Sequence, residues 1–313
     1  MALAQLGFGT SQLMGRIGRK ESLRLMEVAY DAGIRHFDTA PLYGLGAAEA
    51  MVGEFAAGKR GDITLATKFG IRPPARSPLM DFAKSTARAA VKLVPSMRTA
   101  LRKRADSMVA HGVFTAEECR ASLASSLQQL RTSYVDLFLM HEVLEHQIDA
   151  ELLQSLDEAM QRGSVRNYGI ATSPVATVEI SGTLRPGTVA QFASNAFEPF
   201  VGRIPANLVR VTHSALGAGF TGFSRQLTTN AGAVKKWSSA LDFDCSDVDQ
   251  LGRLFLYSAM TENAGGTVLF FSANEERIRR NAQLMSSSSF SRAQVEALSD
   301  LMTEEHRESL QAF

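Results

Sequence analysis

Cysteine is nearly missing from this chain. Only Cys119 and Cys245 occur in 313 residues, and neither belongs to a CxxC pair. That argues against a disulfide framework and fits a reducing compartment. Long apolar runs are missing too: no stretch approaches the ~18 consecutive apolar residues of a membrane span. The first residues show no basic segment followed by an apolar one, so no signal peptide is read and the expected location is cytoplasmic. Charge of one sign is also lacking. A net charge of +1 gives no reason to expect a nucleic-acid or membrane partner.

What remains is ordinary for a globular enzyme, with 45% hydrophobic and 21% charged residues. The length allows a large core, and the expectation is one domain over residues 1–313. Short apolar runs alternate with segments of helical spacing. The predicted strands are Leu6–Thr10, a run ending at Asp38, Ile63–Lys68, Tyr134–His141, Val165–Ala171, Thr188–Ala193, Leu208–His213 and Gly266–Phe271. Helices are predicted over Lys20–Gly33, Ala47–Ala57, Thr115–Leu130, Asp149–Arg162, Ser246–Thr261, Glu275–Leu284 and Ser291–Ser309. Thr115 followed by Glu118 has the capping-box spacing. Eight strand–helix repeats in a chain of this size predict a (β/α)8 TIM barrel, α/β in class, with its working face at the C-terminal strand ends.

One segment breaks the rhythm. Roughly forty residues, about 72–114, separate strand three from its helix, and loops this long are usually functional or disordered. Between Arg72 and Val113 there are nine Lys or Arg against two Asp. Two helical pieces separated by Pro95 are predicted. The segment reads either as a solvated helical lid or as a cap favouring an anionic substrate or acidic partner.

The stretch His36-Phe37-Asp38-Thr39-Ala40-Pro41-Leu42-Tyr43-Gly44 holds the chemistry. It is an apolar strand that breaks at Pro41 and leaves an acid and a phenol five residues apart. Lys68 and His141 stand at two later strand ends. A neutral phenol, with a pKa of ~10, is a poor proton donor. One ammonium at ~4 Å, at an effective dielectric of ~20, favours the phenolate by on the order of 4 kcal/mol, about three pKa units. Lys68 is the candidate ammonium, Asp38 its partner against loss of the proton, and His141 the donor that holds a carbonyl. Singly, each of these residues reads as a cap, a solvated cation or a structural histidine. Together they suit moving a proton at oxygen while hydride moves at carbon, which requires a cofactor.

On these residues the sequence resembles the aldo-keto reductase superfamily over nearly its whole length. The matching pieces are Leu6-Gly7-Phe8-Gly9-Thr10, Gly33 to Ala40, Leu42-Tyr43-Gly44, Ala66-Thr67-Lys68 and Asp136 to His141. The resemblance implies a catalytic tetrad of Asp38, Tyr43, Lys68 and His141, with Tyr43 as general acid and no metal. It implies a nicotinamide cofactor held by Thr172 and Gln191 at the carboxamide and by His213 against the ring. Ser214, Leu216 and Gly217 would follow the pyrophosphate, and Ser272, Arg277 and Asn281 the adenosine phosphate end. There are departures. Ala171-Thr172 stands for the family's Ser-Asn, His213 for a larger aromatic, and Phe271 for a Lys found in some members. Arg277 supports NADP(H), which is favoured over NAD(H), and the loss of that Lys weighs against it. The segment from Phe271 to Asn281 also reads as a simple N-capped surface helix. Measured against the family, the chain is expected to lack the extended C-terminal loop and the full N-terminal hairpin.

Other signals are discounted. The spacing of five between His141 and His146 rejects the zinc motif HExxH, and no metal is expected. The glycines at 7 and 9, and at 44 and 46, lack the third Gly of a dinucleotide fingerprint. Gly217–Gly222 reads as a loop, and Trp237 as core or pocket. The expected function is an NADP(H)-dependent oxidoreductase acting on a small-molecule aldehyde, ketone or sugar-like carbonyl. A nicotinamide-binding regulatory subunit with slow turnover is the alternative. A metal-dependent hydrolase on the same barrel would need more clustered ligands. The sequence is silent on oligomeric state.

Overall fold

The computed structural model describes residues 5–14, 17–71, 112–286 and 290–311. The predicted basic insertion lies almost wholly in 72–111, outside the described residues. Eight parallel strands close into a barrel in sequence order. They are β1 (Leu6–Gly9), β2 (His36–Asp38), β3 (Thr64–Phe69), β4 (Val135–His141), β5 (Val165–Ala171), β6 (Val189–Ala193), β7 (Val209–His213) and β8 (Thr267–Phe270). Each predicted strand is present, with ends shifted by a residue or two where pairing frays.

The helices are α1 (Arg19–Asp31), α2 (Ala48–Ala56), α3 (Ala116–Leu130), α4 (Ala150–Gln161), α5 (Pro174–Ser181), α6 (Phe220–Thr229), α7 (Ala231–Leu241), α8 (Val248–Glu262), α9 (Glu275–Ala282) and α10 (Arg292–Gln311). Among the described residues, none is long and apolar enough to cross a membrane. The Thr115 hydroxyl accepts the Glu118 N–H at 3.2 Å, so the predicted cap starts α3. Asp149 does the same for α4, accepting from Leu152 N–H at 2.8 Å. The sequence reading lacked α5, α6 and α7. Gly222, read as part of a loop, lies within α6. Pro174 resembles a breaker, yet it sits in the first turn of α5, where its missing N–H costs nothing.

Strand parity decides what faces inward. Successive side chains alternate between the barrel interior and the helix layer. Ala66, Leu137, Leu139, Ala171, Val189, Val211 and Leu269 form a small interior cluster. Their strand neighbours, such as Leu65, Phe138, Met140, Ile170, Phe192 and Val268, join the larger core between sheet and helices. On that outer side Asp136 is fully buried. It accepts from Arg60 Nη2 at 2.7 Å and from Leu65 N–H at 2.8 Å, pinning β4 to β3.

Candidate active site

The same parity collects polar groups at one end of the barrel. Asp38, Lys68, His141, Gln191 and His213 are inward-phase residues near the C-terminal ends of β2, β3, β4, β6 and β7. Tyr43 joins them from a single 3-10 turn, Tyr43–Leu45, that follows the break at Pro41. Lys68 Nζ donates to Asp38 Oδ1 at 2.7 Å, to Asp38 Oδ2 at 2.8 Å and to Thr39 O at 2.9 Å. Both partners are buried. Removing either one would strand a buried charge, typically at a cost of about 3–5 kcal/mol. Lys68 Nζ lies 5.1 Å from the centroid of the Tyr43 ring. The His141 ring meets the Tyr43 ring edge-on, with centroids 6.2 Å apart. The four residues expected to act together are therefore in one place.

Electrostatics at this point are a contest between burial and pairing. Burial alone would draw the Lys68 ammonium down. Asp38 and Tyr43 outweigh it, and its pKa stands above the ordinary lysine value. Burial dominates at Tyr43 and raises its phenol, while Lys68 pulls the other way. The expected lowering by Lys68 is thus real but smaller than desolvation. Burial, followed by the Lys68 charge, brings His141 down to about 3, so its imidazole is neutral at physiological pH and one ring nitrogen carries a hydrogen to donate. His213 is lowered as well, chiefly by burial.

A groove of about 1040 Å³ runs from these residues past Ser214, Leu216 and Gly217 to Arg277 and Asn281. Gln191 donates from Nε2 to Asp38 Oδ2 at 2.9 Å. Its Oε1 is buried and has no hydrogen-bond partner among the described residues. Gln191 lines the groove, and its orphaned acceptor suits an amide N–H of a ligand. Thr172 also lines it, but its hydroxyl is taken by Thr177 at 2.7 Å. The His213 ring is tied to the Ser214 hydroxyl at 2.9 Å. Gly217 has φ +64°, and a Cβ there would meet Asn195 Oδ1 at 2.9 Å, so this part of the wall needs glycine.

At the far end the expected residues separate. Arg277 and Asn281 line the groove, but Ser272 does not. Ser272 is buried, and its hydroxyl accepts the Asn274 N–H at 3.0 Å, shaping the turn that starts α9. Arg277 Nε donates to Asp249 Oδ1 at 2.6 Å, and Arg280 Nη1 reaches Asp249 Oδ2 at 3.3 Å. Trp237 is fully buried against Phe223 and belongs to the core. Among the groove residues that sequence reasoning missed are Ser11, Gln12, Glu142 and Asp249. Glu142 carried a signal, its place directly after a strand-end histidine. Asp249 carried none, because only the β7–β8 connection brings it to α9.

Comparison with known proteins agrees with this architecture. Residues 5–237 match the model of the aldo/keto reductase family. A D-threo-aldose 1-dehydrogenase from a Pseudomonas species is 32% identical over 187 residues, covering 55% of this chain and 51% of that protein. A norsolorinic acid reductase from Aspergillus parasiticus is 27% identical over 180 residues, covering 56% and 40%. The chain thus spans about half the length of the curated relatives it matches. Among solved structures, a glycerol dehydrogenase from Gluconobacter oxydans superposes with a TM-score of 0.70 at 17% identity, over 96% of this chain and 92% of that one. An aldo-keto reductase from Bacillus halodurans gives 0.68 at 19%, over 96% and 93%. Those two likenesses concern the fold, whereas the family match runs through all four clustered residues and most of the sequence, and by it the chain belongs to the aldo/keto reductase family.

Proposed function

We propose that this chain is an oxidoreductase that interconverts a small-molecule carbonyl and its alcohol, with Tyr43 moving the proton and a nicotinamide dinucleotide, NADP(H) before NAD(H), in the groove. The observation that carries the reading is the Asp38–Lys68–Tyr43 chain, with His141 beside it, at one end of a groove that ends at Arg277 and Asn281. The cofactor supplies hydride at its nicotinamide C4 when bound.

The protein's own groups do the rest. In reduction, His141 donates a hydrogen bond to the carbonyl oxygen and holds it beside the phenol. Tyr43 Oη then gives its proton to that oxygen. Lys68 stabilises the phenolate left behind, and Asp38 keeps Lys68 charged and in place. In oxidation the phenolate accepts the alcohol proton. A phenol raised by burial favours the proton-donating form at neutral pH, which suits reduction.

Gln191 Oε1 would accept from the carboxamide, and Ser214, Leu216 and Gly217 would flank the pyrophosphate. Asn281 suits the adenine. The Arg277 guanidinium suits a 2′-phosphate, with Asp249 giving up the contact it holds now. Ser272, buried behind the groove wall, takes no part in this reading. Sugar-like substrates gain support from the aldose dehydrogenase among the relatives.

Fluorescence titration with NADPH and with NADH tests the cofactor reading. Tight NADPH binding is expected, with Arg277→Ala weakening NADPH about tenfold or more, the scale of one charged hydrogen bond, and leaving NADH nearly unchanged. Equal response of both nucleotides to Arg277→Ala would reject the 2′-phosphate site. No binding of either would reject the groove as a dinucleotide site.

A further inference from the structure

The barrel-mouth end of the groove holds a charged side chain that the proton chemistry does not use. Glu142 follows His141 directly, where β4 leaves the barrel. Its N–H still donates to Ala171 O at 2.9 Å, so it extends the pairing with β5. Its φ is then +58°, a region that favours Gly, Asn and Asp over Glu. The carboxylate reaches the start of α5, where Ser173 N–H donates to Oε2 at 3.2 Å. That contact anchors one oxygen. Among the described residues no donor reaches Oε1 and no cation pairs with Glu142, which lines the groove. It follows His141 in sequence and lines the same groove as His141 and Tyr43, at the reacting end.

The surrounding charges leave this carboxylate in control of local sign. Asp38 and Lys68 cancel within one buried pair. His141 and His213 are held neutral, chiefly by burial. Among the described residues at this end, Glu142 therefore sets an anionic field. A carboxylate accepts hydrogen bonds and donates none, and its bonds from hydroxyls are short and strong. A ligand carboxylate placed beside it meets a like charge.

We propose that Glu142 is a specificity-determining residue that accepts a hydrogen bond from a substrate hydroxyl near the reacting carbonyl. The site then selects hydroxylated aldehydes and sugar lactols over deoxy aldehydes, and disfavours 2-oxo acids. This rests on the reading of Tyr43 as the proton-moving group. It is opposite in sign to the anionic substrate that the basic segment 72–114 suggests from sequence.

Steady-state kinetics on three carbonyls test it: D-glyceraldehyde, propanal and glyoxylate. The wild-type protein is expected to favour D-glyceraldehyde over propanal by about tenfold or more in kcat/KM, the scale of one charge-assisted hydrogen bond. Glu142→Gln keeps the shape and removes the charge. It should raise KM for D-glyceraldehyde, leave both constants for propanal unchanged, and improve glyoxylate. Glu142→Gly suits the positive φ and should lose the same selectivity while melting no lower than wild type. A glyceraldehyde-to-propanal ratio that survives both substitutions, or an equal loss on both substrates, overturns the proposal alone. A wild-type protein that reduces none of the three overturns the Tyr43 reading, and this one with it.

Discussion

Burial outweighs the neighbouring charges at Tyr43, His141 and His36, though not at Lys68. Tyr43 rises although an ammonium stands beside it, and His141 falls to about 3 although Asp38 is near. His36, fully buried at the start of β2 with Nδ1 on the Thr64 hydroxyl at 2.8 Å, falls to about 4. Both histidines are neutral in the native state at pH 5, whereas in the unfolded chain, with a pKa near 6.5, the same residues are largely protonated at that pH. The unfolded chain then binds more protons, so the stability these groups give is complete above pH 6.5 and drains away as pH falls toward their native values. At pH 5 each costs about 2 kcal/mol. Glu49 is raised by burial and works the other way as pH falls, trimming the loss. Urea unfolding at pH 7 and pH 5 should show a drop of about 2–4 kcal/mol. An unfolding free energy that does not change over that range would contradict the assignment of neutral histidines. The clustering of Asp38, Tyr43, Lys68 and His141 was legible in the sequence, because each stands at or just past a strand end. The sign of the Tyr43 shift was not, since desolvation depends on what covers the ring.

At the level of elements, period-two alternation explains why residues distant in sequence meet. Asp38, Lys68, His141, Gln191 and His213 share one phase on five strands, so closing the barrel aims them at one mouth. That closure depends on close backbone approach at Gly169, where a Cβ would stand 1.9 Å from Val189 O on the neighbouring strand β6. Gly169→Ala cannot be absorbed by a side-chain shift, because the obstacle is main chain. It should cost about 3 kcal/mol or more, read by chemical denaturation. A loss under about 0.5 kcal/mol, the size of an ordinary surface change, would show that β5 and β6 pair differently. All eight strands were legible as apolar runs. Helices α5, α6 and α7 were not, because Pro174, Gly219 and Gly222 read as turn residues when taken singly. The Ser173 cap and the packing of Phe220, Leu227 and Trp237 decide otherwise.

For the molecule as a whole, the groove joins two ends that the sequence described unequally. The tetrad end followed from strand ends and motif spacing. The far end did not: Ser272 is spent on a turn, and Arg277 is shared with Asp249 from a helix 28 residues away. A carboxylate on α8 that meets α9 only after the barrel closes leaves no mark in local sequence. The central claim, that this groove holds a nicotinamide dinucleotide while Tyr43 moves the proton, makes binding and chemistry separable. The most direct test is Tyr43→Phe, with NADPH affinity and carbonyl turnover measured on the same preparation. Nearly unchanged nucleotide binding is expected, with a loss of roughly 10²-fold or more in turnover, the range of general acid catalysis. A variant that keeps more than about a tenth of wild-type turnover, below the smallest effect expected of a general acid, would contradict the claim.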